Sequence, residues 1–251
     1  MFSITNLLFF IILFFACIVS GLIGFGTNIL ALPFLSLFLD IHMVVPVLTL
    51  TMIFMSIPRL AQQYQNINKN IFLTMLPLSL IGGFLGVHLS SVLPEGFTKL
   101  LLSFLLLFIS IKGILEQCGI SNHQIKQEKH LLYLCIPLIG GIMQGAFACG
   151  APIFNIYILS HTKKKEEIRA TMFAIGATSA SFIALQYLLN DVYQGKVLEL
   201  TYWLILAVLL AYFVSERLFK KMNGQQFLYL GYVFLGLTGV MNGWQAIHLL
   251  F

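Results

Sequence analysis

The chain has 251 residues, of which 59% are hydrophobic and 9% charged, with 14 Lys and Arg against 9 Asp and Glu. A soluble domain carries about a quarter charged residues, so this composition excludes a soluble enzyme, a disordered chain and a secreted disulfide scaffold. It also argues against an outer-membrane barrel, whose alternating strands give a much weaker hydropathy signal, and leaves an all-α polytopic membrane protein.

The first apolar segment, residues 4–39, contains no Asp, Glu, Lys or Arg and is too long for one ordinary span of about 20 residues. It has no basic leader, and its apolar run continues past any cleavage point, so it reads as retained and not as a signal peptide. It breaks at Ser20-Gly-Leu-Ile-Gly-Phe-Gly-Thr-Asn-Ile-Leu-Ala-Leu-Pro33. Glycine admits backbone angles that other residues resist, and Thr27 or Asn28 is suited to cap a helix starting at Ile29. Spans are then expected near 43–62, 71–93 and 97–116, followed by the polar stretch Glu116–Lys129. The second long segment, 131–160, breaks at Gln144-Gly-Ala-Phe-Ala-Cys-Gly-Ala-Pro-Ile-Phe-Asn-Ile-Tyr157, where Pro152 suits the first turn of a helix. Spans near 168–190, 199–217 and 225–248 complete the chain.

The two breaks align at an offset of 124: Gly21 with Gly145, Gly24 with Ala148, Gly26 with Gly150, Asn28 with Pro152. Each is followed by a Thr-bearing helix and a polar tail. The sequence therefore predicts two repeats, 1–120 and 131–251, joined by a cytoplasmic linker at 121–130. Basic residues choose how each long segment runs. If each crosses the membrane once, Lys and Arg divide 6 to 8. If each folds back as a hairpin of two short half-helices, they divide 12 to 2, with only Lys99 and Lys196 on the minor side. The second split is what the positive-inside rule expects. It makes each half a re-entrant hairpin plus three spans, the second half inverted relative to the first, with both termini outside.

Matched broken segments in two halves point to a transport site. The first turn of a helix after a break carries unpaired amides and a positive dipole end, which together suit an anion. The candidate binding residues are Gly24, Gly26, Thr27, Asn28, Thr49, Thr51, Gln144, Ala148, Cys149, Gly150, Asn155 and Thr171. Each Thr has the alternative of bonding its own helix. His88 is the titratable group set well inside a span, and reads either as a proton relay or as a neutral hydrogen-bonded histidine. Gly82 with Gly86, and Gly239 with Gly243, have the spacing for close helix packing. Lys163-Lys-Lys-Glu-Glu reads as a solvated loop. A different class, a membrane-embedded thiol oxidoreductase, would use Cys17 and Cys149, although no C-x-x-C is present.

Gly21-Leu-Ile-Gly-Phe-Gly with Pro33, and Gly141-Ile-Met-Gln-Gly-Ala-Phe-Ala-Cys-Gly-Ala-Pro, resemble the sulfite exporter TauE/SafE family over nearly the whole chain. Where that family has a glycine triplet, this chain has Gly26-Thr-Asn and Gly150-Ala-Pro. The resemblance implies a multi-pass permease of the bacterial inner membrane for small anions, including sulfite and organosulfonates, with periplasmic termini. It is not expected to be an enzyme, and no cofactor or metal is expected. The expected partners are the anion and the lipid bilayer, with a homodimer left open and no nucleic acid. No nucleotide-binding motif is present, so the energy must come from a gradient, the membrane potential or a partner.

Overall fold

A computed structural model of the chain describes residues 4–23, 27–117, 130–162, 164–218 and 224–250. These residues form ten helices and no strand: α1 (Ile4–Ile23), α2 (Thr27–Leu35), α3 (Ile41–Gln63), α4 (Lys69–Val92), α5 (Glu95–Gln117), α6 (His130–Phe147), α7 (Ala151–His161), α8 (Lys165–Leu189), α9 (Gly195–Leu218) and α10 (Gly224–Leu250). A single 3₁₀ turn, Tyr64–Asn66, links α3 to α4. Among the described residues, five stretches are long and apolar enough to cross a bilayer: Ile41–Asn66, Lys69–Val92, Gly96–Leu115, Glu166–Leu189 and Gly195–Ser215. They coincide with five of the six expected spans, and the sixth lies on α10. The protein is an all-α polytopic membrane protein. Gly24, Gly26 and the linker residues 121–129 lie outside the described residues.

Local chemistry sets the helix ends. The Asp40 side chain accepts the His42 amide at 2.8 Å and starts α3. The Asn68 side chain accepts the Ile71 amide at 3.2 Å and starts α4. Glu166 and Glu167 occupy the first turn of α8, where negative charge is favoured by the helix dipole.

Small residues bring helices together. A side-chain carbon added at Gly82, Gly86, Gly141 or Gly145 would meet the backbone of the facing helix, so α4 and α6 touch chain to chain. Gly239 and Gly243 perform the same role on α10, against Leu106, Leu107 and Ser103 of α5. The Ser103 hydroxyl donates to the Gly239 carbonyl at 2.7 Å. With little hydrophobic drive between helices in lipid, such close packing and polar bonds hold the bundle. The remaining large pairings are α1 with α9 and α3 with α8.

Polar contacts show which helix ends share a face. Near the start of α1, buried Asn6 accepts from Lys196 at 2.6 Å and donates to Glu199 at 2.5 Å, both at the start of α9. Tyr193, just before α9, donates to the Pro46 carbonyl near the start of α3 at 3.1 Å. The starts of α1, α3 and α9 therefore lie together. At the other end of the 25-residue α8, about 37 Å away by helical rise, the Asn68 amide donates to Thr171 at 3.0 Å and the Asn68 side chain to Glu167 at 3.1 Å. The starts of α4 and α8 share this opposite face. Gly82 faces Leu138 and Gly86 faces Ile142, so α6 runs parallel to α4 and begins there too.

Each long segment consequently leaves and returns to the same face, by α1 then α2 and by α6 then α7. The arms are unequal, which corrects the expectation of two short half-helices. The outgoing arms have 20 and 18 residues and the returning arms 9 and 11. The glycine runs begin late in each segment, and only a short apolar stretch remains before Asp40 or Thr162.

Candidate functional site

The second break is a sharp reversal. Ala148 has φ of 54°, a left-handed conformation that costs a side-chain-bearing residue about 1–2 kcal/mol. Its amide closes the last turn of α6 on the Gln144 carbonyl at 2.9 Å, and the Cys149 amide reaches back to Met143 at 3.3 Å. The Gln144 side chain then folds over the turn, and its Oε1 accepts the Gly150 amide at 2.8 Å. A Cβ on Gly150 would stand 2.5 Å from the Gly140 carbonyl oxygen, so only glycine fits. One turn into α7, Phe154 packs against Gly140, which brings α7 back along α6.

The first break meets it. Asn28, in the opening turn of α2 and 6% exposed, donates through Nδ2 to the Leu48 carbonyl of α3 at 3.0 Å and to the Ala148 carbonyl at 2.9 Å. Two carbonyls can only accept, so the amide orientation is determined by chemistry and Oδ1 faces away from them. That Oδ1 is buried without a partner. So is the hydroxyl of Thr51, one turn beyond Leu48 on α3, and so is Nε2 of Gln144. The Gln144 orientation is equally determined, because Oε1 must face the Gly150 N–H. Buried polar groups are nearly always bonded, and an unsatisfied one costs about 1–3 kcal/mol. Three of them, on α2, α3 and α6, belong to residues linked within one turn to the Asn28–Ala148 contact.

The remaining predicted residues sort by position. Thr27 is buried beside the Cys17 thiol. Cys149 is buried at the reversal itself. Asn155 is half-buried on α7, one turn past the break. Thr49 bonds its own helix, donating to Val45 at 2.9 Å. Thr171 is not at the breaks: its hydroxyl accepts the Asn68 amide and secures the turn before α4. His88 is exposed on the outer side of α4, stacked on Phe84 with ring centres 5.0 Å apart, so it is not brought to the site. The expectation of bare amides is narrowed at the second break. Gln144 caps Gly150, Pro152 has no N–H, and the Ile153 amide bonds Gly150 at 3.1 Å. A glutamine placed one turn before the reversal is long enough to fold over it. Cys17 and Cys149 are both buried, free thiols.

Sequence reasoning missed Arg59. It counts as a helix-end residue by position, yet it is 6% exposed, because its guanidinium folds back along α3 to the Met55 carbonyl at 2.7 Å and lies 5.0 Å from the centre of the Phe173 ring. The one hint in the sequence is that it stands four residues inside the end of an apolar helix.

A model of the family described as Sulfite exporter TauE/SafE matches residues 9–242. The chain belongs to this family. No curated protein and no solved structure matches it significantly. Membership makes the protein a multi-pass membrane protein of a sulfite-exporter family, and the matched range contains both breaks and every residue of the Asn28 contact.

Proposed function

We propose that this TauE/SafE member is a secondary transporter that exports a small sulfur-containing oxyanion, sulfite or an organosulfonate, across the bacterial inner membrane by alternating access. The observation that carries the reading is the meeting of the two breaks through Asn28, with the Thr51 hydroxyl and the Gln144 amide left as buried donors beside it. Asn28 Oδ1 adds one acceptor, which matches an anion that keeps a proton, such as hydrogensulfite, better than a bare dianion.

The packing supports an inverted repeat of 1–120 and 131–251. Exchanging the halves turns the α1–α9 pairing into the α6–α4 pairing and leaves α3–α8 and α5–α10 as they are. Met52 packs on Gly176, its own counterpart at the offset of 124. Equivalent positions of two repeats touch only near the axis that relates them. With the N-terminal face periplasmic, all Lys and Arg except Lys99 and Lys196 would fall on the cytoplasmic side. Export of a monoanion from a negative-inside cell then gains about 2.3 kcal/mol per 100 mV, so the potential alone suffices as driving force.

Efflux from proteoliposomes loaded with sulfite, sulfate, thiosulfate, alkyl sulfonates or carboxylates tests this. Sulfite or a sulfonate is expected to leave faster when the interior is made negative. Protein-independent leak rates for the whole panel would overturn the reading.

A further inference from the structure

The end of α8 and the turn that follows it carry two tyrosines inward, and both are anchored beside the Asn28 contact. Tyr187, buried near the end of α8, donates its hydroxyl to the Gly145 carbonyl of α6 at 3.2 Å. Tyr193, half-buried just before α9, donates to the Pro46 carbonyl of α3 at 3.1 Å. Gly145 stands just before Ala148, and Pro46 just before Leu48, and it is the carbonyls of Ala148 and Leu48 that hold Asn28. The two rings meet edge to face with centres 6.2 Å apart. They pack with Val87 of α4, Ile183 of α8 and Val192.

The turn that presents them is tightly wound. Asp191 and Gly195 take the left-handed conformation, with φ of 53° and 52°, and the Val192 amide closes on the Tyr187 carbonyl at 2.9 Å. The tyrosines lie between the N-terminal face and the centre, because α3 starts at that face and Leu48 is about 10 Å along it. The opposite face is built differently. At the offset of 124, Tyr187 corresponds to Gln63 and Tyr193 to Lys69. Lys69 lines a polar surface hollow of about 290 Å³ together with Asn66, Asn68 and Glu167. The aromatic pair thus belongs to one face, and polar side chains take its place at the other.

We propose that Tyr187 and Tyr193 form the gate between the Asn28 site and the N-terminal face. An anion passes to that face when both hydroxyls leave their carbonyls and the α8–α9 turn swings away from α3 and α6. Two neutral O–H···O=C bonds suit this task, because each contributes only modestly against bonding to water, which keeps the closed state favoured and reversible. The rings themselves cover apolar surface and keep water from the contact below. For an exporter whose N-terminal face is periplasmic, this is the release gate. The inference rests on the transporter reading and assigns the barrier on one side of the site that reading places at the centre.

The test is labelling of Cys149, the buried free thiol next to Ala148, by a membrane-impermeant maleimide in proteoliposomes whose protein orientation is established by protease accessibility. Cys17→Ala, Cys118→Ser and Cys135→Ser together leave it as the one thiol of the chain. In that background, Tyr187→Phe or Tyr193→Phe should speed labelling from the N-terminal face roughly fivefold, and the double variant by more than about tenfold, because each lost hydrogen bond shifts the opening equilibrium by its net worth. Labelling from the opposite face should not change. Unchanged labelling from the N-terminal face overturns the gate, while sulfite efflux by the wild type keeps the transporter reading standing. Acceleration that is equal from both faces, or larger from the opposite one, overturns it too, because the substitutions have then only loosened the bundle. A wild type that moves no anion in the panel overturns the transporter reading and this inference with it.

Discussion

The first break and the second break occupy equivalent places in the chain, yet they solve the same problem differently. At the second, the backbone is closed on itself: Ala148 turns left-handed, Gln144 caps the Gly150 amide, and Gly150 sits against Gly140. Just after the first, Asn28 reaches out of its own segment to bond α3 and the other break. Its counterpart at the offset of 124 is Pro152, which has no donor to offer. Two breaks at matched positions of the sequence thus meet through one side chain, and the donor of that contact comes from the first break alone.

The harshest way to break this comparison is Gly150→Leu. The new side chain has no room beside the Gly140 carbonyl and the Gln144 side chain. Anion flux should fall to the leak rate while membrane insertion, followed with a fluorescent fusion, persists; near-normal flux would remove the reversal from the mechanism. Asn28→Leu follows. It strips a donor from two buried carbonyls, with an expected loss of flux and about 1–3 kcal/mol of stability in detergent unfolding, whereas Pro152→Ala at the equivalent position should change stability by less than about 1 kcal/mol. Equal effects at the two positions would contradict the division of roles.

A finer probe separates cap from donor. Gln144→Glu preserves an oxygen for the Gly150 amide but replaces the Nε2 donor with a second oxygen, so folding should survive and anion flux should drop about tenfold or more. Wild-type flux would show that Nε2 does not face the anion. The smallest effect is expected from Ala148→Gly, which restores at the second break the glycine present at position 24 of the first. Relief of the left-handed strain, less the extra chain entropy of glycine, should stabilise the protein by up to about 1 kcal/mol, read as a rise in Tm with flux retained.

Much of this was legible beforehand, for identifiable reasons. Five spans could be read because the bilayer demands long uncharged runs, and Asp40 and Asn68 marked helix starts by the side-chain oxygens they bring. The breaks were visible as glycine runs at matched positions. The arms are unequal because the glycine runs begin late in both segments. A polar residue inside an apolar run, such as Thr171 or His88, announces a need for a partner but not the direction in which its helix faces. Arg59 was overlooked because its Cα lies near a helix end while its guanidinium does not.

By itself, then, the sequence determined that this chain lives in a membrane, which stretches are long and apolar enough to cross it and where the two long segments break, because those properties follow from hydropathy and backbone freedom acting over a few neighbouring residues. Tertiary structure decided that Asn28 of one half binds Ala148 of the other, which way each amide points, and that Arg59 and Arg169 come to one ring. These are contacts between residues about a hundred positions apart, and the packing of helices settles them, not any local preference of the chain.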